Sequence, residues 1–234
     1  MKHILYIVAA LFLLASCRQE ESVEAGKGVL SLSSIEVQAE VFTPITTRAV
    51  SPDLAIEILK EDGTAVVKYD AGAAETAGKI ELDAGNYILK AYSPNYGTTW
   101  SNDEKGAPVY YKEQAFTIVK EKTNYLSLQV PMVNIGMRLI LPEGFSDRFI
   151  GYTFSAQVGN REVALQEGET AYFDLPEDSG VKLQYSLSAT NNDDETLQQD
   201  SSFEGALTAG TVYEVTYSIA TNSLSLKRAH STLF

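Results

Sequence analysis

The stretch Lys182-Leu-Gln-Tyr-Ser-Leu-Ser-Ala189 alternates polar with apolar side chains at every position. Successive side chains of a β-strand point to opposite faces of its sheet, so this stretch predicts a half-buried strand. Its buried face carries Leu183, Tyr185, Leu187 and Ala189. The same period of two recurs from Val29 onwards, and no stretch keeps a helical period. The sequence therefore predicts an all-β protein.

The other alternating stretches are separated by recognisable turns. Leu54 to Ile58 and Ala65 to Tyr69 flank Glu61-Asp62-Gly63, which predicts a hairpin. A slip of the alternation at Ser33-Ser34 predicts a β-bulge. Two longer polar segments, Ser93 to Ala107 and Asn191 to Asp200, are predicted to be loops.

The length of the chain fits either one large β domain or two of ordinary size, and we favour two. Pro131 is a natural boundary, because proline cannot donate a hydrogen bond to a sheet. We expect an N-terminal β-sandwich over residues 28–130, a C-terminal one over 131–228 and a tail over 229–234. Many short strands joined by Gly, Asn and Asp turns predict tandem antiparallel β-sandwich domains.

The N-terminus, Met1 to Cys17, has a basic head, an apolar run and small residues before the chain's one cysteine. The apolar run is too short to span a bilayer, so residues 1–16 are predicted to be a secretory signal peptide. Leu-Ala-Ser-Cys resembles the lipobox of bacterial lipoproteins, in which Cys17 is lipidated; the alternative is a plain signal peptide with a chance cysteine. Residues 17–27 would then be a flexible tether that starts with the lipidated Cys17.

Several short motifs carry a family resemblance. They are Gly28-Val-Leu-Ser-Leu32, Thr47-Arg-Ala49, Ile56-Glu-Ile-Leu-Lys-Glu-Asp-Gly63, Leu82-Asp-Ala-Gly-Asn-Tyr87, Val109-Tyr-Tyr111 and Ala115-Phe-Thr-Ile118. Together they resemble the Bacteroidetes lipoprotein family "domain of unknown function 4493", over roughly Gly28 to Leu141. The layout also resembles fimbrillin-type pilus subunits, whose domains are transthyretin-like sandwiches. The resemblance implies a surface lipoprotein, often encoded near carbohydrate-related proteins, with no assigned activity. By the same likeness, Glu20-Glu21 resembles the acidic signal that exports Bacteroidetes lipoproteins to the outer face of the outer membrane; the alternative is an ordinary polar tether.

Catalytic residue types are scarce in this chain. His3 lies in the predicted signal peptide and His230 in the C-terminal tail, so neither supports a Ser-His-Asp arrangement or a histidine metal site. A lipidated Cys17 leaves no thiol. No glycine-rich phosphate loop is present. We therefore expect neither enzymatic activity nor a cofactor.

Charge and acidic clusters restrict the partners further. The formal net charge of −13 disfavours nucleic acid and anionic lipid surfaces. Asp193, Asp194 and Glu195 are weak candidates for a calcium site, because their spacing lacks the alternation and glycine of a dedicated loop. A solvated hairpin tip is the favoured interpretation.

Aromatic side chains concentrate between Tyr92 and Tyr111. The candidate ligand-binding residues are Tyr92, Tyr96, Trp100, Tyr110 and Tyr111. Flat aromatic rings can stack on the apolar faces of sugars, and neighbouring amides and carboxylates can bond sugar hydroxyls. The alternative is that these aromatics are half-buried sheet residues and that Trp100 caps a sandwich edge.

Arg48-Ala49 lies in a polar segment between two predicted strands and is a candidate site of protease cleavage; the favoured alternative is an uncut loop whose arginine is only solvated. The sequence thus favours a non-catalytic, outer-membrane and surface-exposed lipoprotein that binds or adheres, with glycan or a surface protein as ligand. The alternative is a fimbrillin-like pilus subunit or accessory protein that is cut after Arg48 and assembles through strand exchange.

Overall fold

The computed structural model describes residues 26–38, 54–73 and 79–228, and these are mostly β-strand. The first seven strands are β1 (Lys27–Gln38), β2 (Ala55–Lys60), β3 (Ala65–Tyr69), β4 (Lys79–Asp83), β5 (Gly85–Tyr92), β6 (Tyr111–Ile118) and β7 (Thr123–Pro131). The later strands are β8 (Ile135–Ile140), β9 (Phe149–Val158), β10 (Arg161–Ala164), β11 (Thr170–Phe173), β12 (Leu183–Asn191), β13 (Thr196–Phe203), β14 (Val212–Ser218) and β15 (Ser223–Arg228). One helical turn, α1 (Phe145–Arg148), precedes β9.

The first seven strands form two sheets around one apolar core. Their strand orders are β4-β1-β7 and β3-β2-β5-β6. The largest fully buried side chains between them are Leu30, Ile35, Leu54, Ile56, Ile58, Leu89 and Ile118. β1 is the middle strand of its sheet, and its Leu30 and Ile35 side chains are fully buried in the core.

The last eight strands repeat this arrangement around a second core. Their sheets have the orders β10-β9-β12-β13 and β11-β8-β14-β15. Phe154, Phe173, Met137 and Tyr213 are buried between them, together with the four apolar side chains of β12. Two sheet pairs with separate cores confirm the predicted all-β fold of tandem sandwiches. The predicted division of the chain at Pro131, where β7 ends, stays a prediction.

Local patterns predicted several elements correctly. β2 and β3 pair as an antiparallel hairpin across the Glu61-Asp62-Gly63 turn, and Gly63 has the positive φ of 84° that such a turn requires. The register of β1 against β7 shifts between Leu32 and Ser34, at the predicted bulge. β12 contains Leu183 to Ala189, the alternating residues that predicted a half-buried strand.

Two features differ from the alternation pattern. Among the described strands, each sandwich contains one parallel pair, β1 with β7 and β8 with β14, beside antiparallel neighbours. The predicted acidic loop from Asn191 to Asp200 is wrong, because the chain turns tightly and Thr196 already begins β13. β13 is a polar strand at the edge of its sheet. An edge strand buries few side chains, so its sequence lacks the apolar alternation by which strands are predicted.

The long segment between β5 and β6, residues 93–110, is here called the 93–110 connection. It leaves the first sandwich, contacts the second and returns. Tyr172 donates its backbone N–H to the carbonyl of Lys105 at 2.7 Å, and the Lys105 ammonium pairs with Glu169. At the returning end, the buried Asn134 side chain bonds both Ala107 and Val109 at 2.9 Å. The two sandwiches are therefore tied together by this connection.

Within residues 26–38, 54–73 and 79–228, no helix has the length and apolar character to cross a membrane.

Candidate ligand-binding site

Three tyrosines meet on the outer face of the β3-β2-β5-β6 sheet. Tyr92 ends β5 and lies directly opposite Tyr111, which begins β6. Tyr96 folds back from the 93–110 connection and stacks on Tyr111, with ring centroids 4.3 Å apart and an interplanar angle of 6°. The ring of Tyr92 lies 5.9 Å from that of Tyr96 at an angle of 46°. We call these three residues, with Lys90 and Glu113, the tyrosine site.

The tyrosine site combines its rings with an ion pair. Lys90 and Glu113 are cross-strand partners next to Tyr92 and Tyr111, and Lys90 Nζ lies 3.1 Å from Glu113 Oε1. The Tyr111 hydroxyl donates to the same Glu113 oxygen. On the neighbouring strand β2, Glu57 is the cross-strand partner of Lys90, and Lys68 on β3 is the partner of Glu57. Charges of alternating sign therefore form a row across the sheet. The site therefore offers hydrogen-bond donors and acceptors beside an aromatic surface.

These contacts fix the protonation states at neutral pH. The Tyr111 hydroxyl and the Lys90 ammonium hold the pKa of the Glu113 carboxyl below its ordinary value. The bond to Glu113 raises the pKa of Lys90. Burial, followed by the bond to Glu113, raises the pKa of Tyr111. Lys90 is then cationic, Glu113 anionic and Tyr111 neutral.

A tight turn at the start of the 93–110 connection positions Tyr96. The Tyr96 N–H donates to the carbonyl of Ser93 at 2.9 Å, and Gly97 follows with a positive φ of 80°. Ser93 is itself buried, and its N–H donates to the carbonyl of Tyr110. Its hydroxyl accepts the Tyr110 N–H at 3.0 Å. The turn is therefore anchored across to the start of β6, and Tyr96 remains 45% exposed above Tyr111.

The structure separates two of the five predicted aromatics from the tyrosine site. Tyr110 is half-buried, forms an isolated bridge with Met132 and packs against the first core. Trp100 is partly buried farther along the 93–110 connection, where a Cβ added to Gly106 would lie 3.5 Å from its Cδ1 atom. Its indole N–H is enclosed without a hydrogen-bond partner among the described residues. Trp100 therefore lies in the part of the 93–110 connection that reaches the second sandwich, next to Ser101, whose carbonyl accepts a hydrogen bond from Arg161.

Arg161 on β10 is a further residue that holds the 93–110 connection against the second sandwich. Its guanidinium donates to the carbonyls of Ser101, at 3.1 Å, and of Glu104 and Tyr172. It also lies 4.8 Å from the ring centre of Phe173. Sequence reasoning missed Arg161, because no local pattern indicates that a short strand will meet a loop about sixty positions away.

Sequence reasoning also missed Lys90 and Glu113, although a signal was present. Lys90 precedes Tyr92 by two positions, and Glu113 follows Tyr111 by two. The period of two places each charged residue on the same sheet face as its tyrosine.

The acidic hairpin tip is organised by its own hydrogen bonds. Asn191 Oδ1 accepts the N–H groups of Asp193 and Glu195 at 2.9 and 2.8 Å, and its amide donates to the Glu195 carboxylate. Asp194 has a positive φ of 62°. Across the described ranges, no group of three or more His, Cys, Asp or Glu residues is placed to hold a metal ion. Cys17, Arg48 and Ala49 lie outside the described residues, so lipidation and cleavage there stay predictions.

Family comparison covers both sandwiches. The sequence model of the family described as "Domain of unknown function (DUF4493)" matches residues 26–228. The chain belongs to this family. The match confirms the predicted family and extends it beyond Leu141, through the second sandwich of this DUF4493 protein. Among curated proteins, none matches the sequence.

Solved structures resemble this DUF4493 protein at low sequence identity. A candidate cell adhesion protein from Bacteroides uniformis is 16% identical, with a TM-score of 0.50 over 88% of this chain and 100% of that one. A candidate polysaccharide-binding protein from Bacteroides thetaiotaomicron is 10% identical, with a TM-score of 0.47 over 87% and 98% of the two chains. The tip fimbrial protein Mfa3 from Porphyromonas gingivalis is 10% identical, with a TM-score of 0.45 over 87% and 98%. The first of these likenesses supports the two-sandwich fold.

Proposed function

We propose that this DUF4493 protein is a non-catalytic binding and adhesion module of the cell surface, and that the tyrosine site binds carbohydrate. Lipid on Cys17 would anchor it in the outer membrane, facing the exterior. The description of the Bacteroides uniformis structure suggests the adhesion class. The residues of the tyrosine site suggest the ligand.

The exposed Tyr96 ring, held flat on Tyr111, is the observation that carries this proposal. Aromatic rings are usually buried when they only stabilise a core, whereas Tyr96 remains 45% exposed on the sheet surface. Its contact with Tyr111 and its anchored turn fix the ring before any ligand arrives. A rigid ring loses little entropy on binding, so it suits the apolar face of a sugar.

The charged pair beside the rings suits the hydroxyl rim of the same sugar. The Lys90 ammonium donates and the Glu113 carboxylate accepts, and their charges cancel. A neutral or weakly charged glycan is therefore the favoured ligand. The net charge of −13 disfavours a strongly anionic polysaccharide.

The test is a glycan array followed by calorimetry on the chain from Arg18 to Phe234, which keeps every described residue. We expect binding to at least one neutral glycan and a loss of about tenfold or more in affinity for Tyr96→Ala. Tyr125→Ala is the matched control, because Tyr125 is 74% exposed on β7, in the opposite sheet. Equal binding by both variants, or no binding to any glycan, would contradict the proposal.

A second candidate function is that of a fimbrillin-like structural subunit, and the position of β1 favours it. β1 lies between β4 and β7, and the segment that joins it to β2 contains Arg48. Cleavage after Arg48 would leave β1 held without a covalent link. Its departure would open a groove that accepts a strand by β-augmentation.

Treatment of surface-extracted protein with an arginine-specific protease tests this second candidate. Loss of the N-terminal segment, followed by ladders that Arg48→Ala abolishes, would support a pilus subunit. An intact Val29 to Val41 segment on extracted protein would exclude it.

A further inference from the structure

The outer edge of β13 is long and weakly protected. β13 runs from Thr196 to Phe203 and pairs, within the described part of the chain, with β12 alone. Asp200 is its one charged side chain, and the strand contains neither proline nor glycine. Lysine, proline and bulges are the usual means by which an edge is kept from pairing with another chain. The neighbouring edge strand β15 ends in Lys227-Arg228, as an edge protected by charge does.

The side chains on the outer face of β13 are short, polar and already ordered. Asp200 accepts hydrogen bonds from Ser186 on β12 at 2.6 Å and from Gln198 at 2.9 Å. These two bonds hold the pKa of the Asp200 carboxyl below its ordinary value. β13 also pairs with β12 along all eight of its residues without a register shift, so no bulge interrupts this edge.

We propose that β13 pairs antiparallel with β13 of a second copy of this chain, joining the two β10-β9-β12-β13 sheets into one continuous sheet around a twofold axis at Gln199. This interaction is separate from the tyrosine site, which lies on the other sandwich. Identical strands related by a twofold axis pair antiparallel, and the resulting contact closes on itself.

The register follows from the pairing rules. In an edge strand, every second residue points its backbone N–H and C=O groups away from the sheet. In an antiparallel pair such residues must lie opposite each other, so an odd-numbered residue faces an odd-numbered one and an even-numbered residue faces an even-numbered one. Two such registers use nearly the whole strand. One centres on Asp200 and brings two aspartates directly opposite, which is destabilising. The other centres on Gln199 and places Gln198 opposite Asp200 of the second copy, an amide beside a carboxylate. The second register is therefore the favoured one.

One pair of eight-residue strands buries little surface, so we expect a weak dimer whose population depends on concentration. Continued beyond the strand ends, this register brings the acidic turn at Asp193–Glu195 of one copy towards Glu204 of the second copy, so like charges approach there. Salt should therefore strengthen the dimer.

Analytical ultracentrifugation of the Arg18 to Phe234 chain tests the proposal. We expect a monomer–dimer equilibrium. Gln198→Asp places a carboxylate opposite Asp200 and should raise the dimer dissociation constant about tenfold or more. The double variant Gln198→Asp with Asp200→Gln again places an amide opposite a carboxylate, with the two positions exchanged. It should return the dissociation constant to near its original value. Gln184→Asp adds the same charge to the same sheet face away from the edge and should change little.

Cysteine cross-linking tests the register itself. The chain from Arg18 has no native cysteine, since Cys17 is the only one. Under oxidation Gln199→Cys should form a covalent dimer, because the two Gln199 positions face each other within disulfide reach. Ser201→Cys should not, because Ser201 faces Leu197 of the second copy. A monomer at millimolar concentration, a failure of the double variant to rescue, or equal cross-linking at both positions would overturn the proposal.

Discussion

Tyr96 lies flat on Tyr111 because Ser93, which starts the turn that carries Tyr96, forms two hydrogen bonds with Tyr110, the residue just before β6. The Ser93 N–H donates to Tyr110, and the Ser93 hydroxyl accepts from Tyr110. The stack is thus a consequence of how the 93–110 connection leaves β5.

The first prediction concerns the stability of this stack. Tyr96→Ala should lower the free energy of unfolding by about 1 kcal/mol, the contribution of an aromatic pair, because Tyr96 is largely exposed. Tyr111→Ala should cost more, since it also removes the contact with Glu113. Urea unfolding measures both. A larger loss for Tyr96→Ala than for Tyr111→Ala would contradict this account.

The second prediction is a pH dependence at Glu113. The pKa of this carboxyl is lowered from 4.5 in the folded protein, first by Tyr111 and then by Lys90. A lowered pKa stabilises the fold above the unfolded pKa, and that stability is lost as pH falls through the folded pKa. Wild type should exceed Glu113→Gln in stability at pH 7, and the difference should shrink below about pH 4.5. Glu81→Gln removes an exposed ion pair with Lys27 and should show a smaller difference. A pH-independent difference for Glu113→Gln would refute the assignment.

The third prediction concerns Arg161. Arg161→Ala removes three hydrogen bonds from a guanidinium to carbonyl groups and should destabilise the protein by about 2 to 3 kcal/mol. Arg138→Ala is the control, because Arg138 forms a partly exposed pair with Glu214 at 3.7 Å and should cost less than about 1 kcal/mol. Thermal unfolding compares the two. Equal losses would show that Arg161 does not hold the sandwiches together.

The fourth prediction concerns Asn134, a buried polar side chain between the sandwiches. Its oxygen accepts the Val109 N–H and its amide donates to Ala107. Asn134→Ala should cost about 2 kcal/mol or more, because both backbone groups lose their partner. Asn95→Ala removes one half-buried bond to Pro108 and should cost less. The opposite order in chemical denaturation would be evidence against this role.

The fifth prediction concerns Cys17. Cys17→Ser should release the protein from the membrane fraction, because the acyl chains attached there supply the anchor. Metabolic labelling with a fatty-acid analogue should mark wild type and leave the serine variant unmarked. A serine variant that stays with the membrane would disprove lipid anchoring at this position.

The alternation of polar and apolar residues correctly predicted structural features that depend on residues close in sequence. It did not predict features that depend on contacts between distant segments. The β2–β3 hairpin and the bulge near Ser34 were predicted because turn chemistry and side-chain parity act over a few residues. The parallel pairing of β1 with β7 leaves no local trace, since a strand alternates in the same way beside either kind of neighbour. β13 was predicted as a loop because its side chains are polar on an exposed edge.

The same distinction applies to the five aromatic residues of the candidate ligand-binding site. Tyr92 and Tyr111 meet because they are directly opposite each other on two neighbouring strands of one sheet. Tyr110 and Trp100 were grouped with them only because they are near in sequence. Trp100 lies in the part of the 93–110 connection that reaches the second sandwich. The hydrogen bond that holds this part, from Arg161 to the carbonyl of Ser101, joins residues far apart in the chain.

The central place of β1 also governs the order in which the first sandwich can form. β1 is synthesised first, yet its parallel partner β7 is 95 positions away where Asn124 bonds the carbonyl of Val29. Closing so long a loop is entropically costly, and folds rich in such contacts fold slowly. Until β7 has been made, the apolar side chains of β1 lack one of the two strands that flank it. The nascent chain therefore carries an exposed apolar segment until β7 has been synthesised, and a chaperone that binds extended apolar strands would meet β1 before any other part of this sheet.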